Sequence, residues 1–233
     1  MDHQVQNCLQ TLFLSSDDIG QIFALYTLAQ SATPHGFLAT RSKDYFREII
    51  RKPDEVIAIG IRDKERLIAY SICHRVTTNP YSEYSLLSTI KPATCTVYHG
   101  DGTVVDPEYL GRRLAMRLFQ VRLEEMIARR IDHMISLVAV DNLASIGNSL
   151  LAGAILVGFA RDETAMNYIL YVGTLSDRLN LHATPIEVVG TDQKKLKRLF
   201  AEGYAVCGLG RPTSGPGSPR DSGARLFRLL PVK

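Results

Sequence analysis

Three arginines lie at the beginning of a predicted helix in the segment VVDPEYLGRRLAMRL. Pro107 ends the preceding strand and Gly111 permits a tight turn, after which Arg112, Arg113 and Arg117 follow. The first backbone N–H groups of a helix have no partner within it and its dipole is positive there, so acidic residues are common at that end. Free N–H groups and arginines together favour a bound anion, such as a multiply charged phosphate. A solvated basic helix face is the alternative, and these residues leave both open.

Two familiar phosphate-binding motifs are missing from the sequence. There is no GxxxxGK[ST] segment, so a P-loop is not predicted. There is also no GxGxxG segment after a first strand, so a dinucleotide site of the Rossmann type is not predicted either.

Side chains that can move a proton lie shortly before this turn, in the segment HGDG. His99 and Asp101 are candidates for a general base, and histidine needs little tuning to act near neutral pH. A tight turn in which Asp101 serves only turn chemistry is the alternative. His74, in the apolar segment SICHRV, either faces an acceptor site or is an ordinary half-buried strand residue.

The elements that position these groups follow from the hydrophobic pattern. A strand is predicted over residues 94–105, in which Gly100 and Gly102 indicate a bulge or kink. The turn leads into a helix predicted over residues 111–130. Its apolar stripe consists of Ala115, Phe119, Leu123, Met126 and Ile127, widened by Leu114, Leu118 and Val121.

The rest of the chain alternates in the same way between strands and helices. Before the site, the pattern predicts a strand at 8–15, helices at 15–31 and 42–51, a β-hairpin over 56–76 and a polar connection at 77–93. After it, the pattern predicts a strand at 133–140, a helix at 142–152, strands at 155–162 and 166–173, and then a strand, a helix and two strands from about residue 174. The segment 211–223 is a flexible loop by composition.

Composition narrows the class of protein. The chain has 233 residues, 45% of them hydrophobic, which suits one large domain or one domain with an appendage. Lys and Arg number 27 against 24 Asp and Glu, and Trp is absent, so a nucleic-acid partner is not expected. The sequence shows neither a signal-peptide pattern nor an apolar run of membrane-spanning length, so we expect a cytoplasmic protein without a membrane partner.

The cysteines do not suggest a metal site. They are Cys8, Cys73, Cys95 and Cys207. None belongs to a CxxC pair and their spacing fits no zinc pattern, so we expect no metal and a reducing compartment.

The two halves of the predicted site resemble motifs of the GCN5-related N-acetyltransferases. Val105–Tyr109 matches that family's approach to its acetyl-CoA motif, and Gly111 and Ala115 match two of the motif's small residues. Leu110 replaces the family's Arg or Gln, and Arg113 replaces its central Gly. Further on, Asn142 and Gly153 have the spacing of the family's second motif, with Ala154 in place of Phe.

This resemblance implies a fold and a domain organisation. The fold is mixed α/β, with a mostly antiparallel central sheet flanked by helices. Residues 1–173 would form the acetyltransferase-like domain. Residues 174–233 would add a strand–helix–strand extension packed on it, which completes an acceptor cleft or a homodimer interface.

The resemblance also implies a co-substrate, acetyl-CoA, and the residues that bind it. Backbone amides from Gly111 to Ala115 would hold the pyrophosphate, the strand before the turn would pair with the pantetheine, and Asn142 would support it. The implied binding residues are Val104, Val105, Leu110, Gly111, Arg112, Arg113, Leu114, Ala115 and Asn142.

The reaction implied is acetyl transfer to a primary amine by direct attack in a ternary complex. Asp101 or His99 would take the proton of the amine. Ser149 occupies the position where many relatives carry a tyrosine that protonates the leaving thiolate, and a serine hydroxyl is the poorer acid. Tyr168 and Tyr171 are either substitutes for it or ordinary strand residues. The acceptor is a small molecule or a peptide, and a non-catalytic acyl-CoA-binding or regulatory module is the alternative function.

Overall fold

The computed structural model describes residues 9–84, 86–162, 165–210 and 226–233 of the chain. The helices are α1 (Ile19–Ala32), α2 (Lys43–Ile50), α3 (Leu114–Ala128), α4 (Leu143–Leu151), α5 (Thr174–Asp177) and α6 (Gln193–Ala201). The strands are β1 (Gln10–Phe13), β2 (Val56–Asp63), β3 (Arg66–Val76), β4 (Val97–Val105), β5 (His133–Ala139), β6 (Ile155–Arg161), β7 (Met166–Gly173), β8 (Ile186–Val189), β9 (Tyr204–Leu209) and β10 (Leu226–Pro231). Cys8 and the loop predicted over 211–223 lie outside the described residues. All described helices are too short or too polar to cross a bilayer.

The chain forms two compact units. The first contains residues up to Arg75 together with Gly100–Arg129, and the second contains Val76–His99 together with the residues from Arg130 onward. The strand β4 therefore begins in the second unit and continues in the first. The domain boundary expected at residues 173 and 174 is a different division of the chain and remains a prediction.

In the first unit, four strands follow the order β1-β2-β3-β4. β2 pairs antiparallel with both β1 and β3, and β2 and β3 form the predicted hairpin. The apolar faces of α1 and α2 supply Ile22, Tyr26 and Phe46 to a core that also contains Val56 and Ile72 from the strands. This packing fixes the two helices beside the strands that carry the candidate site.

In the second unit, the strand order is β5-β7-β6-β9-β10-β8 and every described pairing is antiparallel. Its core includes Ile135, Ile169, Tyr171 and Ala205. The C-terminal strands continue this sheet because β9 pairs with β6. The predicted fold class, a mixed α/β fold with a mostly antiparallel sheet flanked by helices, is confirmed, whereas the short α5 was not predicted.

The helix expected at 111–130 is shorter at both ends. α3 begins at Leu114 because Arg113 adopts the left-handed conformation, with φ of 59°, and it ends at Ala128, before Arg130 adopts the same conformation with φ of 54°. The buried residues of α3 are Leu114, Leu118, Phe119, Arg122 and Met126. The predicted apolar stripe was wrong at Ile127, which is 79% exposed, because the buried face is rotated toward Arg122.

Two further elements differ at their ends. α4 covers Leu143–Leu151 rather than 142–152, because Asn142 caps the helix instead of joining it: its side-chain oxygen accepts a hydrogen bond from Ser145 N. The described part of the first strand is Gln10–Phe13. The kink expected in β4 is present at Gly102, where φ is +128°.

Candidate active site

A buried carboxylate lies in the middle of β4. The side chain of Asp101 is 4% exposed. Its Oδ2 lies 2.5 Å from Nδ1 of His74, its Oδ1 accepts a hydrogen bond from the Tyr45 hydroxyl, and Nη2 of Arg41 lies 3.6 Å from Oδ1. Asp101 thus lies inside a strand, and the interpretation of HGDG as a tight turn is wrong at this residue.

The partners of Asp101 come from three places in the first unit. His74 lies on β3, Tyr45 lies in the first turn of α2, and Arg41 lies in the connection between α1 and α2. Tyr26 of α1 fixes that connection, because its hydroxyl donates to the carbonyl of Ala39 at 2.8 Å and accepts from Arg41 N at 2.9 Å. The carboxylate is therefore held by groups that are themselves fixed.

The charge and burial of this cluster determine its protonation. Burial, and then the neighbouring Asp101 carboxylate, raise the pKa of Tyr45, so the phenol stays protonated and remains a hydrogen-bond donor. The guanidinium carbon of Arg41 lies 4.5 Å from the centre of the Tyr45 ring, which adds a cation–π contact. A hydroxyl donor and a cation thus both face the carboxylate of Asp101.

Two spaces adjoin the cluster. A small cavity of about 20 Å³ touches Asp101, Arg41 and Tyr70, and this is roughly the volume that one water molecule needs. A larger cleft of about 470 Å³ is lined by His74, whose side chain is 27% exposed. The imidazole therefore connects a buried carboxylate with a cleft that can admit a substrate.

The turn after β4 is built around Asp106, which is fully buried. Its carboxylate accepts from Glu108 N at 2.9 Å and pairs with Arg66. The hydroxyl of Tyr109 donates to Asp63 at 2.6 Å and fixes the other side of the turn. These contacts set the direction in which the chain enters Gly111, where φ is +78°.

The residues that follow are exposed and basic. Arg113 precedes α3 without a side-chain cap, and the first turn of α3 contains no acidic residue. Arg112 stacks on the ring of Tyr109, with 4.7 Å from its guanidinium carbon to the ring centre, and Arg117 donates to the carbonyl of Leu9 at 3.1 Å. The backbone N–H groups at this helix start, together with the three arginines, form a suitable site for an anion.

A buried cation lies on the inner face of α3. Arg122 is 5% exposed, donates to Ser71 Oγ at 2.9 Å and stacks on Phe119. Ser71 also bonds Thr103 of β4 at 3.0 Å, so Arg122 supports β3 and β4 from the helix side. Burial lowers the pKa of Arg122 and raises the pKa of the nearby Cys73 thiol to about 11, which leaves the thiol unreactive.

The other predicted catalytic residues lie in the second unit. His99 lies on β4 and its ring stacks on Tyr81, with 6.4 Å between the ring centres. Ser149 is half-buried on α4. Tyr168 and Tyr171 are fully buried, with hydroxyls bonded to Gly190 and to His133 respectively, as structural strand residues are.

The residues of this cluster differ in how strongly their types and positions indicate a functional role. Asp101 and His74 were both singled out, whereas Arg41 and Tyr45 were not, because nothing in one sequence links them to residues some 60 positions later. The position of Arg122 does indicate burial, because it lies four residues from both Leu118 and Met126, on the buried face of the helix.

Residues 22–148, more than half of the chain, match the sequence model of the Acetyltransferase (GNAT) family. No curated protein sequence matches the chain. Three solved structures with similar folds are a PaiA N-acetyltransferase from Thermoplasma acidophilum in complex with coenzyme A, YncA, a putative acetyltransferase from Salmonella typhimurium with acetyl-CoA, and the ribosomal-protein-S18-alanine N-acetyltransferase from Escherichia coli.

These structures are similar to the chain in fold rather than in sequence. Identity is 12%, 14% and 14%, and the TM-scores are 0.54, 0.55 and 0.54. The matches cover 71%, 76% and 70% of this chain and 98%, 98% and 92% of the other chains.

Proposed function

Because this chain belongs to the GNAT family of acetyltransferases, we propose that it moves an acetyl group from acetyl-CoA to a primary amine of a small molecule or peptide. The observation that carries this proposal is the pair formed by His74 and Asp101, which adjoins a cleft in the same unit as the basic turn at Gly111. Two of the solved structures contain coenzyme A or acetyl-CoA, which supports the choice of co-substrate.

The turn after β4 fits the diphosphate of a CoA molecule. A Cβ placed on Gly111 would meet nothing within 4 Å, so the space above this residue is open. We assign diphosphate binding to the backbone amides from Gly111 to Ala115, with added side-chain contacts from Arg112 and Arg113. Val104, Val105 and Leu110 would contact the rest of the bound CoA molecule. Asn142, which caps α4, stays the predicted support of the pantetheine.

Acetyl-CoA supplies the acetyl group as a thioester, whose C–S bond breaks as the C–N bond to the amine forms. In the proposed mechanism, Nε2 of His74 takes the proton that the amine loses. Asp101 accepts the hydrogen bond from Nδ1 of the same ring and stabilises the imidazolium. Tyr45 and Arg41 hold the carboxylate in place.

This assignment changes the role proposed for Asp101. A buried carboxylate that already faces His74, Tyr45 and Arg41 is better suited to orient a histidine than to receive the proton itself, and His74 is the member of the pair that lines the cleft. His99, whose ring stacks on Tyr81, stays the alternative base. Ser149 remains the candidate that returns a proton to the thiolate.

A non-catalytic acyl-CoA-binding module is the second candidate. The observation that favours it is Ser149, because a serine hydroxyl is a weak acid for protonating the leaving group. The two functions share the binding turn and differ only in turnover.

Thiol release from acetyl-CoA, measured with a broad panel of primary amines, tests the enzyme proposal. We expect acetylation of at least one amine, and we expect His74→Gln to reduce its rate by a factor of about 100 or more while acetyl-CoA still raises the melting temperature. His182→Gln, at an exposed histidine of the second unit, is the matched control and should be fully active. A melting temperature raised by acetyl-CoA with no amine acetylated would favour the binding module, and no thermal shift at all would remove the binding site.

A further inference from the structure

We propose that the acceptor amine also carries an anionic group, a carboxylate or a phosphate, and that it binds in the cleft beside His74. This inference rests on the proposed function and adds the chemical class of its acceptor. It follows from where the base is, from the size of the cleft and from the charges in its wall.

The cleft is the space into which the proposed base opens. A general base must lie within about 2.6–3.2 Å of the proton-bearing atom, so an amine that reacts through His74 has to enter this cleft. Its volume of about 470 Å³ falls within the range of small-ligand sites. The lining residues are Glu48, Ile49, Arg51, Lys52, Glu55, His74 and Arg75, all in the first unit.

The charges of this wall do not suit a simple cationic amine. Lys52 and Glu55 form an ion pair at 3.6 Å and largely cancel each other. Besides His74, the other titratable residues of the wall are one acidic residue, Glu48, and two arginines, Arg51 and Arg75. An amine without an anionic group would therefore meet a wall with excess positive charge.

A molecule that carries both charges matches the wall. Guanidinium groups bind carboxylate and phosphate oxygens with paired N–H donors, so Arg51 and Arg75 suit an anionic group. Arg75 follows the base directly in β3, and its backbone N–H is fixed to the carbonyl of Glu55 at 2.7 Å. Glu48 can attract the ammonium form of the amine before its proton is removed.

A simpler explanation exists for one of the arginines. Arg51 is the C-cap residue of α2, where a positive charge favourably meets the negative end of the helix dipole. That explanation does not apply to Arg75, which lies on a strand. The two arginines are therefore tested separately.

The test compares acceptors in matched pairs. Glycine is paired with glycinamide, phosphoethanolamine with ethanolamine, and a tripeptide beginning with Asp with one beginning with Asn. We expect kcat/KM to be at least about tenfold higher for the anionic member of a pair. The amine of glycinamide is less basic than that of glycine, so a larger fraction of it is deprotonated near neutral pH. Its intrinsic reactivity there is therefore higher, which opposes the expected preference for glycine. The pair with the largest ratio shows whether the anion is a carboxylate or a phosphate and whether the acceptor is a peptide.

Charge-neutralising variants locate the anion. Arg75→Gln and Arg51→Gln should each reduce the ratio within a pair to about one-third or less of its wild-type value through KM, because the lost guanidinium bound only the anionic member. Arg47→Gln is the control, since Arg47 lies on the same helix but pairs with Asp44 and does not line the cleft. Equal ratios in Arg75→Gln and the wild type would overturn the assignment of Arg75.

The failure of this inference differs from the failure of the proposed function. Acetylation of amines with no preference for the anionic member, or with preference for the neutral one, overturns the inference and leaves the acetyltransferase in place. Binding of each pair to the protein saturated with CoA is measured by calorimetry as a second readout. If no amine is acetylated but the anionic member binds more tightly, the cleft has the proposed specificity and the proposed catalysis is wrong.

Discussion

Asp101 and Gly111 lie ten residues apart on one stretch of chain, yet their surroundings are opposite. Around Asp101 the protein supplies a histidine, a phenol and a guanidinium, and the carboxylate is almost completely covered. Around Gly111 the backbone is exposed, and so are the neighbouring arginines. Proton transfer requires a charge held in one place, whereas anion binding requires donors that the protein has not used.

Three other described helices begin with a side-chain cap, whereas α3, like α1 and α5, begins without one. Ser42 caps α2, Asn142 caps α4 and Asp192 caps α6, each by accepting a backbone N–H at 3.0–3.1 Å. Such a cap is worth about 1 kcal/mol, and α3 has none. The chain therefore forgoes this stabilisation at the turn where an external anion can supply the same hydrogen bonds.

The difference between the surroundings of Asp101 and those of Gly111 is tested most severely by Asp101→Asn. We expect kcat to fall by a factor of about 100 or more, because the imidazolium of His74 loses its counter-charge, while the affinity for acetyl-CoA changes by less than about twofold. Steady-state rates and calorimetric titration with acetyl-CoA measure the two effects. Asp44→Asn, at an exposed aspartate of α2, should change neither. An equal loss of rate and affinity would mean that the two regions act as one.

A second variant, Arg113→Gly, addresses the binding turn. It should weaken acetyl-CoA binding by about tenfold by removing a charge-assisted contact. It should also stabilise the folded protein by up to about 1 kcal/mol, since a non-glycine residue in the left-handed conformation costs about 1–2 kcal/mol, partly offset by the flexibility of glycine in the unfolded chain. Urea unfolding and ligand titration report the two quantities.

The control for this variant is at the other end of the same helix. Arg130 has nearly the same φ as Arg113, 54° against 59°, so Arg130→Gly should bring the same relief of strain. It should leave acetyl-CoA binding unchanged. If both variants weakened binding alike, the Arg113 side chain would have no special part in the site.

A smaller effect is expected from Tyr45→Phe, which removes the hydroxyl that donates to Asp101. We expect kcat to fall about five- to tenfold, less than for Asp101→Asn, because His74 and Arg41 still hold the carboxylate. The ratio of wild-type to variant kcat should be constant from pH 6 to 9, since the pKa of Tyr45 is raised from about 10 and the phenol does not ionise in that interval. A ratio that changes with pH would make the phenol a proton carrier instead of a fixed donor.

The smallest effect is expected from ionic strength, which should act at the exposed arginines near Gly111 and not at Asp101. Raising the salt concentration from 0.05 to 0.5 M should increase the KM for acetyl-CoA about threefold, because exposed arginines are screened over a few ångströms at that salt concentration. The kcat at saturating substrate should not change, since the buried contacts of Asp101 are shielded from solvent ions. Initial rates at several salt concentrations are sufficient, and a fall in kcat would show that the carboxylate is less enclosed than its burial indicates.

Local signals in the sequence account for what could be predicted. The β2–β3 hairpin, α2 and the order of the later elements all follow from alternation and periodicity, which involve neighbouring residues. The predicted start of α3 is three residues too early, because a left-handed arginine has no signature in the sequence. The turn at Gly111 could be identified since glycine, proline and arginine are informative by residue type alone.

The residues around Asp101 are brought together by tertiary contacts. Tyr45 meets Asp101 across 56 residues and His74 meets it across 27, so only the packing of α2 on the strands brings the three together. For Arg122, two signals in the sequence disagree. Arginine is typical of the surface, whereas its position on the helix indicates the core, where it lies. Position determined the outcome, because Ser71 and the Phe119 ring partly replace the water that the guanidinium loses.

The buried thiol of Cys73 can report when the strands of the first unit open. A side chain that is fully enclosed and whose pKa is about 11 reacts with an alkylating reagent only after the surrounding strands separate. Cys95 and Cys207 are partly exposed in the second unit, so they label without such an opening and serve as internal standards. The labelling rate of the Cys73 peptide, followed by mass spectrometry, therefore times the spontaneous opening of the strands that hold the site, and a bound ligand should slow it.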